Sequence, residues 1–238
     1  SASITTPTAK NIQDGGALVK DWKARVSSNG GTLTVESEKI ATAIAIDIYR
    51  LGVRAKLSYV LPFLGADLNA MEVPLIDDYG VGNATPNVLT DTEVDELYGM
   101  QKATGTDHYL DTGIDNAHTD GTDVSIGLYF KDRTSGFPLG VRQNSYDNIG
   151  WETNGDLHMY SGTNSQRFTT SAYPQTGDDG LHVVMHEDDT MRWYLDGSLV
   201  ASRGADSTPE VPTKSIKLFG MDWFDDGFRE TDAKIGFF

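Results

Sequence analysis

Carboxylates are the chemistry-bearing residues that this sequence supplies in groups. Glu187, Asp188 and Asp189 are consecutive, and Asp222, Asp225, Asp226, Glu230 and Asp232 crowd the stretch before the C-terminal strand. Two carboxyl groups ~5–9.5 Å apart can split a glycosidic bond, and a strand supplies them by placing acids at alternate positions facing one cleft. Neither group has that spacing: the first is a run at a turn and reads as a solvated loop tip, and the second is interrupted by Gly227 and reads as a loop. An acidic loop suits a hard cation, which draws several oxygen ligands from flexible carboxylates. Asp222, Asp225 and Asp226 are therefore candidate Ca²⁺ ligands, beside the alternative of a bare acidic loop, although their spacing matches no EF-hand. No other cofactor is expected.

The five histidines are scattered. His182 and His186, four apart on a strand, sit about 13 Å from each other, too far to share a metal, and are expected at the strand surface. No Gly-rich phosphate loop and no Ser nucleophile elbow is present. Trp151, Trp223 and Tyr146 are the aromatics whose flanks read as loops, where a ring face can stack on a sugar or fold back over a sheet edge. Trp22 and Trp193 fall in periodic segments and are expected in the core.

The net charge of −16, with 35 acidic against 19 basic residues, argues against nucleic-acid binding, which needs Lys and Arg against phosphate. It suits a soluble exposed surface. Zero cysteines exclude disulfides and thiolate chemistry. No apolar run is long enough to span a bilayer, and SASITTPTAK lacks the apolar segment of a secretory signal. Ser1 fits loss of an initiator Met, so an intact N-terminus made in the cytoplasm is the expectation.

The elements that must position these residues divide by periodicity. Residues 1–13 read as a flexible arm. Residues 14–76 read as a helical docking region: Leu18, Trp22 and Val26 are helically spaced, Asp14 can cap, and Asn29-Gly30-Gly31 is a stop. Thr34 caps a second helix with Glu36 and Glu38 in its first turn and a stripe of Ile40, Ile44, Ile48 and Leu51. A short helical run over 53–60 and a last piece from Asp67 follow. Ile46, Tyr49, Tyr59 and Phe63 do not fit one stripe, which marks them as candidate partner-docking residues or as contacts to whatever lies behind. Residues 77–98 read as a linker. From 99 to 238, short alternating runs recur with turns about every ten residues, the pattern of an all-β sandwich. The clearest lie back to back: Val183 and Met185 share one face, then Met191, Trp193 and Leu195 share another, and Asp196-Gly197 supplies a tight turn.

Trp193-Tyr194-Leu195-Asp196-Gly197-Ser198-Leu199-Val200-Ala201 resembles the paired strands of concanavalin A-like (laminin G-like, LamG) jelly-roll sandwiches. In order along the chain, DWKARVSSNGG (21–31), LPFLGADLNAMEVPLI (61–76), ATGTDHYLDTG (103–113), VSIGLYF (124–130), SIKLFGM (215–221) and AKIGFF (233–238) resemble a group of tailed-bacteriophage proteins with a helical segment before such a sandwich. The resemblance implies a mainly β fold of two antiparallel sheets preceded by a small α-helical region. It also implies a non-enzymatic virion protein, a capsid decoration or a tail or fibre component, whose partners are other virion proteins in a homo- or hetero-oligomer and host surface glycan, with no nucleic acid or membrane. Glucanases of this fold carry Glu-x-Asp-x-x-Glu, which is missing here, so a depolymerase is the alternative, and a free carbohydrate-binding module a third. Members of the fold usually continue past a strand like AKIGFF. Either that strand is the last of its sheet, or the natural product is longer.

Overall fold

The computed structural model describes residues 5–95, 99–101, 108–115, 117–118, 124–131, 136–142, 148–153, 157–161, 179–187, 190–204, 214–223, 228–230 and 234–235. Three helices come first: α1 (Ala9–Ser28), α2 (Val35–Arg50) and α3 (Leu68–Met71). The strands are β1 (Tyr59–Val60), β2 (Ile76–Asp77), β3 (Thr85–Asn87), β4 (Val94–Asp95), β5 (Gly99–Gln101), β6 (Tyr109–Asp111), β7 (Val124–Lys131), β8 (Gly136–Arg142), β9 (Asn148–Thr153), β10 (Leu157–Ser161), β11 (Gly180–Glu187), β12 (Thr190–Leu195), β13 (Ser198–Gly204), β14 (Lys217–Leu218), β15 (Gly220–Trp223), β16 (Phe228–Glu230) and β17 (Lys234–Ile235). The strand expected over 166–169 lies outside the described residues.

The fold is mainly β, as expected: two large, almost wholly antiparallel sheets packed on one core behind a small helical region. One sheet runs β13-β12-β11-β7-β17-β5-β4; the other runs β10-β9-β8-β14-β6-β3, with β15 joining β8 and β16. The pairs are antiparallel except β15 on β8. Apolar residues of both sheets, among them Leu110, Leu218, Leu128, Val184, Met191 and Trp193, form one core. Asp196 and Gly197 both take positive φ, 48° and 78°, as the expected two-residue hairpin turn requires.

The helices start from capping chemistry. Thr8, and not Asp14, caps α1: its hydroxyl accepts from the Asn11 amide at 3.2 Å while the Asn11 side chain accepts from the Thr8 amide at 2.9 Å. Asp14 instead pairs with Lys10, so the helix begins within the stretch expected as an arm. Thr34 caps α2 and Asp67 caps α3 as expected. The expected Ile stripe of α2 is displaced: Ser37, Ala41, Ala45 and Ile48 are buried and Leu51 is exposed. Small residues line the seam because the helices approach closely. A Cβ at Gly15 of α1 would sit 2.8 Å from the Ile46 amide nitrogen. The helical run expected over 53–60 is only a 3-10 turn, Arg54–Lys56, followed by β1. Among the described residues no helix is long and apolar enough to cross a membrane.

Residues 60–76 lie between two cores. Val60, Leu64, Ala70, Val73 and Leu75 join the helical core around Trp22, whereas Leu61, Phe63, Leu68 and Met71 join the sandwich core. Phe63, 1% exposed with φ 52°, holds a left-handed backbone that costs about 1–2 kcal/mol and is fixed by packing. Residues 77–98, expected as a linker, supply β3 to one sheet and β4 to the other and bury Ala84 and Leu89 in the sandwich core.

Candidate functional site on the eight-stranded sheet

Alternation along β6 and β14 decides which side chains leave the core. Leu110 and Leu218 point into it, 0% and 4% exposed, so Tyr109, Asp111 and Lys217 lie on the other face. There Lys217 Nζ donates to the Asp111 carboxylate and to Ser215 Oγ at 3.0 Å, and sits 5.2 Å above the Tyr109 ring. The Gly113 amide donates to Asp111 Oδ1 at 3.0 Å. Burial pushes the Asp111 carboxyl up, but the hydrogen bonds from Lys217, Ser215 and Gly113 together outweigh it and hold the group below the usual carboxylate range.

The register extends this cluster across the sheet. Thr85, Asp111, Lys217, Gly140, Gly150 and Tyr160 occupy one row of directly opposed positions. Two residues further along β8, Arg142 is opposed by Asn148 on β9 and by Trp223 on β15, which places these positions on the same face. Two adjacent glycines thus sit where side chains would otherwise stand. With strands ~4.8 Å apart, the Lys217 and Tyr160 positions are about 14 Å from each other, with two glycine positions, Gly140 and Gly150, between them. The row carries polar positions on one side of the two glycines and an aromatic position, Tyr160, on the other.

The candidate sugar-contact residues separate on this map. Trp223 ends β15 on the face just described, and Trp151 is the centre of β9 in the opposite row, Pro86–Leu110–Leu218–Leu139–Trp151–Met159. Both are strand residues, not loop residues, because the flanking Gly and Asp continue the ladders. Tyr146 lies outside the described residues. Asp222 is also in β15, paired with Phe228 and Val141, so the expected acidic loop begins with a strand; Asp225 and Asp226 lie outside the described residues. Glu187 ends β11 and pairs with Arg192 at 2.8 Å. Among the described residues no three His, Asp or Glu gather as metal ligands.

His182 and His186 are not surface residues: they are 0% and 3% exposed, and the His182 ring stacks on Trp193 at 5.8 Å. The register explains the correction. Val184 opposes Trp193 and His186 opposes Met191, so the inward row of β11 is His182, Val184 and His186, while Val183 and Met185 are on the other face.

Of the candidate docking residues, Phe63 is in the sandwich core and Tyr59 packs against it. The Tyr59 hydroxyl is buried, which together with the Asp77 charge pushes its ionisation far up. Ile46 is half-buried in the α1–α2 seam and Tyr49 is half-buried near the end of α2. Phe63 and Tyr59 are thus spent within the chain. A groove of about 360 Å³ between α1 and α2, lined by Gly16, Val19, Lys20, Lys23, Glu38 and Thr42, is crossed by a Lys23–Glu38 ion pair at 2.5 Å.

Sequence periodicity did not find Tyr109, Asp111, Ser215 and Lys217. Each strand alternates correctly, but Asp111 and Lys217 are 106 residues apart and nothing local brings them together.

No family model and no curated protein matches the sequence. Several solved structures are similar to parts of it. A carbohydrate-binding module, CBM66 from Bacillus subtilis, is 14% identical and aligns over 65% of this chain and 91% of its own, with a TM-score of 0.36. Domains LG4-5 of the mouse laminin alpha1 chain are 16% identical over 49% of this chain and 36% of theirs, with a TM-score of 0.33. The binding domain of botulinum neurotoxin DC, solved in complex with rat synaptotagmin II, is 14% identical over 76% of this chain and 47% of its own, with a TM-score of 0.42.

Proposed function

We propose that this protein works by contact and not by turnover: the sandwich presents the sheet face at Gly140 and Gly150 to a glycan, and the helical region is the base that holds it. The observation that supports this reading is the juxtaposition of two adjacent glycine positions with Tyr109, Asp111, Ser215 and Lys217 on one flank and the Trp223 and Tyr160 positions around them. Asp111 and Lys217 hold each other, so they act as fixed hydrogen-bonding groups in place of a free acid and base. The ordered sequence resemblance supports placing the molecule on a bacteriophage particle, as a capsid decoration or a tail or fibre component made in the host cytoplasm, among other virion proteins.

A glycan array probed with the intact protein and with Trp223→Ala tests the contact reading. Binding by the parent that falls at least tenfold in the variant is expected if stacking on the ring carries the contact, a tenfold loss being about 1.4 kcal/mol. Release of reducing ends from any bound polysaccharide would overturn the non-catalytic part. Peptides of this chain at many copies in purified virions are expected from the particle assignment, and their absence would remove it.

A further inference from the structure

Among the described residues, the α1–α2 hairpin is covered on one side only. On that side Trp22 Nε1 donates to the Val73 carbonyl at 3.1 Å, Arg25 donates to the Pro74 and Leu75 carbonyls, and Ile40 and Ile44 pack against the helical core. Gly15 meets Ile46 and Lys23 meets Glu38, so the helices run antiparallel and Ile12 is level with Tyr49. A turn of 3.6 residues gathers Ile12, Gly16, Lys20 and Lys23 on the other side of α1, and Val35, Glu38, Thr42 and Ile46 on the other side of α2. Ile12 is 53% exposed and Val35 72%, and nothing stands within 4 Å of where a Cβ at Gly16 would be. The groove is thus apolar at both ends and charged between, with Lys20 and Lys23 on the α1 wall and Glu38 on the α2 wall. Lys23 pairs with Glu38, and Lys39, next to Glu38, pairs with Glu36; Lys20 is exposed and has no ion pair among the described residues.

We infer that this groove binds the same groove of a second copy, the two hairpins forming a four-helix bundle about a two-fold axis parallel to the helices. A two-fold contact is self-complementary, residue i meeting j where j meets i. With the axis along the helices, α1 of each copy lies over α2 of the other at the same height. Lys20 then reaches the partner's Glu38, and Ile12 covers the partner's Ile46. The other face-to-face arrangement, α1 over its own copy, sets Lys20 and Lys23 against a wall that carries no acid. An occupant of one charge sign would suit one wall and oppose the other, whereas a second copy suits both. The 16 residues of α2 make a face about 24 Å long, and two helices side by side are about 20 Å wide, roughly 480 Å² in projection. A standard stable interface takes about 800 Å² per partner, so the dimer is a weak one that forms at high local concentration. This pairing is independent of whether the sheet face takes a glycan.

Sedimentation equilibrium of the full chain is the test. The parent is expected to be monomeric at about 1 µM and to populate a dimer at about 200 µM. Gly16→Gln, whose side chain enters the groove from an open helix position, should lower the association constant by about tenfold or more without lowering the melting temperature. Lys20→Glu and Glu38→Lys should each lose the dimer alone, because like charges then meet across the axis, and should recover it when the two are mixed in equal amounts, because every contact across the axis is then of opposite sign. A parent that stays monomeric at about 200 µM, or that forms a species other than a dimer, overturns the inference and leaves the groove to a different chain. A dimer undiminished in a folded Gly16→Gln protein, or no recovery on mixing, overturns it by placing the contact elsewhere.

Discussion

Lys217 and Asp111 are the residues where the balance of burial and charge matters most. Desolvating an ammonium is costly, and the carboxylate offsets that cost only while it stays ionised. Asp111→Asn leaves a nearly buried cation without its counter-charge and is expected to cost about 2–4 kcal/mol in urea unfolding, with Asp111→Asn/Lys217→Met recovering much of the loss. The pH dependence follows from the direction of the Asp111 shift. Its folded-state pKa lies below the unfolded one, so its stabilisation is complete above about pH 4–5, shrinks as pH falls below the usual carboxylate value, and is gone below the folded pKa. Glu72 has the opposite sign: burial raises its carboxyl, so it costs stability at neutral pH, and that cost disappears as pH falls through the raised value. Acid titration of the parent against Asp111→Asn should therefore show curves that converge at low pH.

At the scale of elements, adjacent glycines in α1 give a controlled comparison. A Cβ at Gly15 would sit 2.8 Å from backbone of α2, and at Gly16 nothing lies within 4 Å. Gly16→Ala should stabilise by about 0.5–1 kcal/mol through helix propensity, while Gly15→Ala should destabilise by about 1–3 kcal/mol by forcing the helices apart. Thermal melts of the two variants shifting in the same direction would contradict the close approach at Ile46. What the sequence made legible at this scale was what local rules decide: the Thr34 cap, the Asp67 cap, the Asn29 stop and the Asp196-Gly197 turn. What it hid was parity and neighbourhood. The inward row of β11 carries two histidines because cross-strand register, and not residue type, sets the face. Likewise residues 85–87 and 94–95 contain Pro86 and Asp95 and look like loop, yet they extend sheets whose other strands supply the ladder.

For the whole molecule, the segment 60–76 joins the helical and sandwich cores side chain by side chain, with Phe63 and Met71 in one and Val73 and Leu75 in the other. The two should therefore unfold together: far-ultraviolet and aromatic circular dichroism melts are expected to coincide, and Phe63→Ala, costing about 3–5 kcal/mol, should lower both midpoints equally. Two separated transitions would show the helical region to be independent of the sandwich. The most direct test of the contact account is the affinity of Gly150→Phe for the polysaccharide that the parent binds, measured by calorimetry alongside its melting temperature. The account predicts binding abolished with the melt shifted by no more than a few degrees, because position 150 is in the row that faces away from the core. Undiminished affinity in a folded Gly150→Phe protein would place the ligand elsewhere and contradict it.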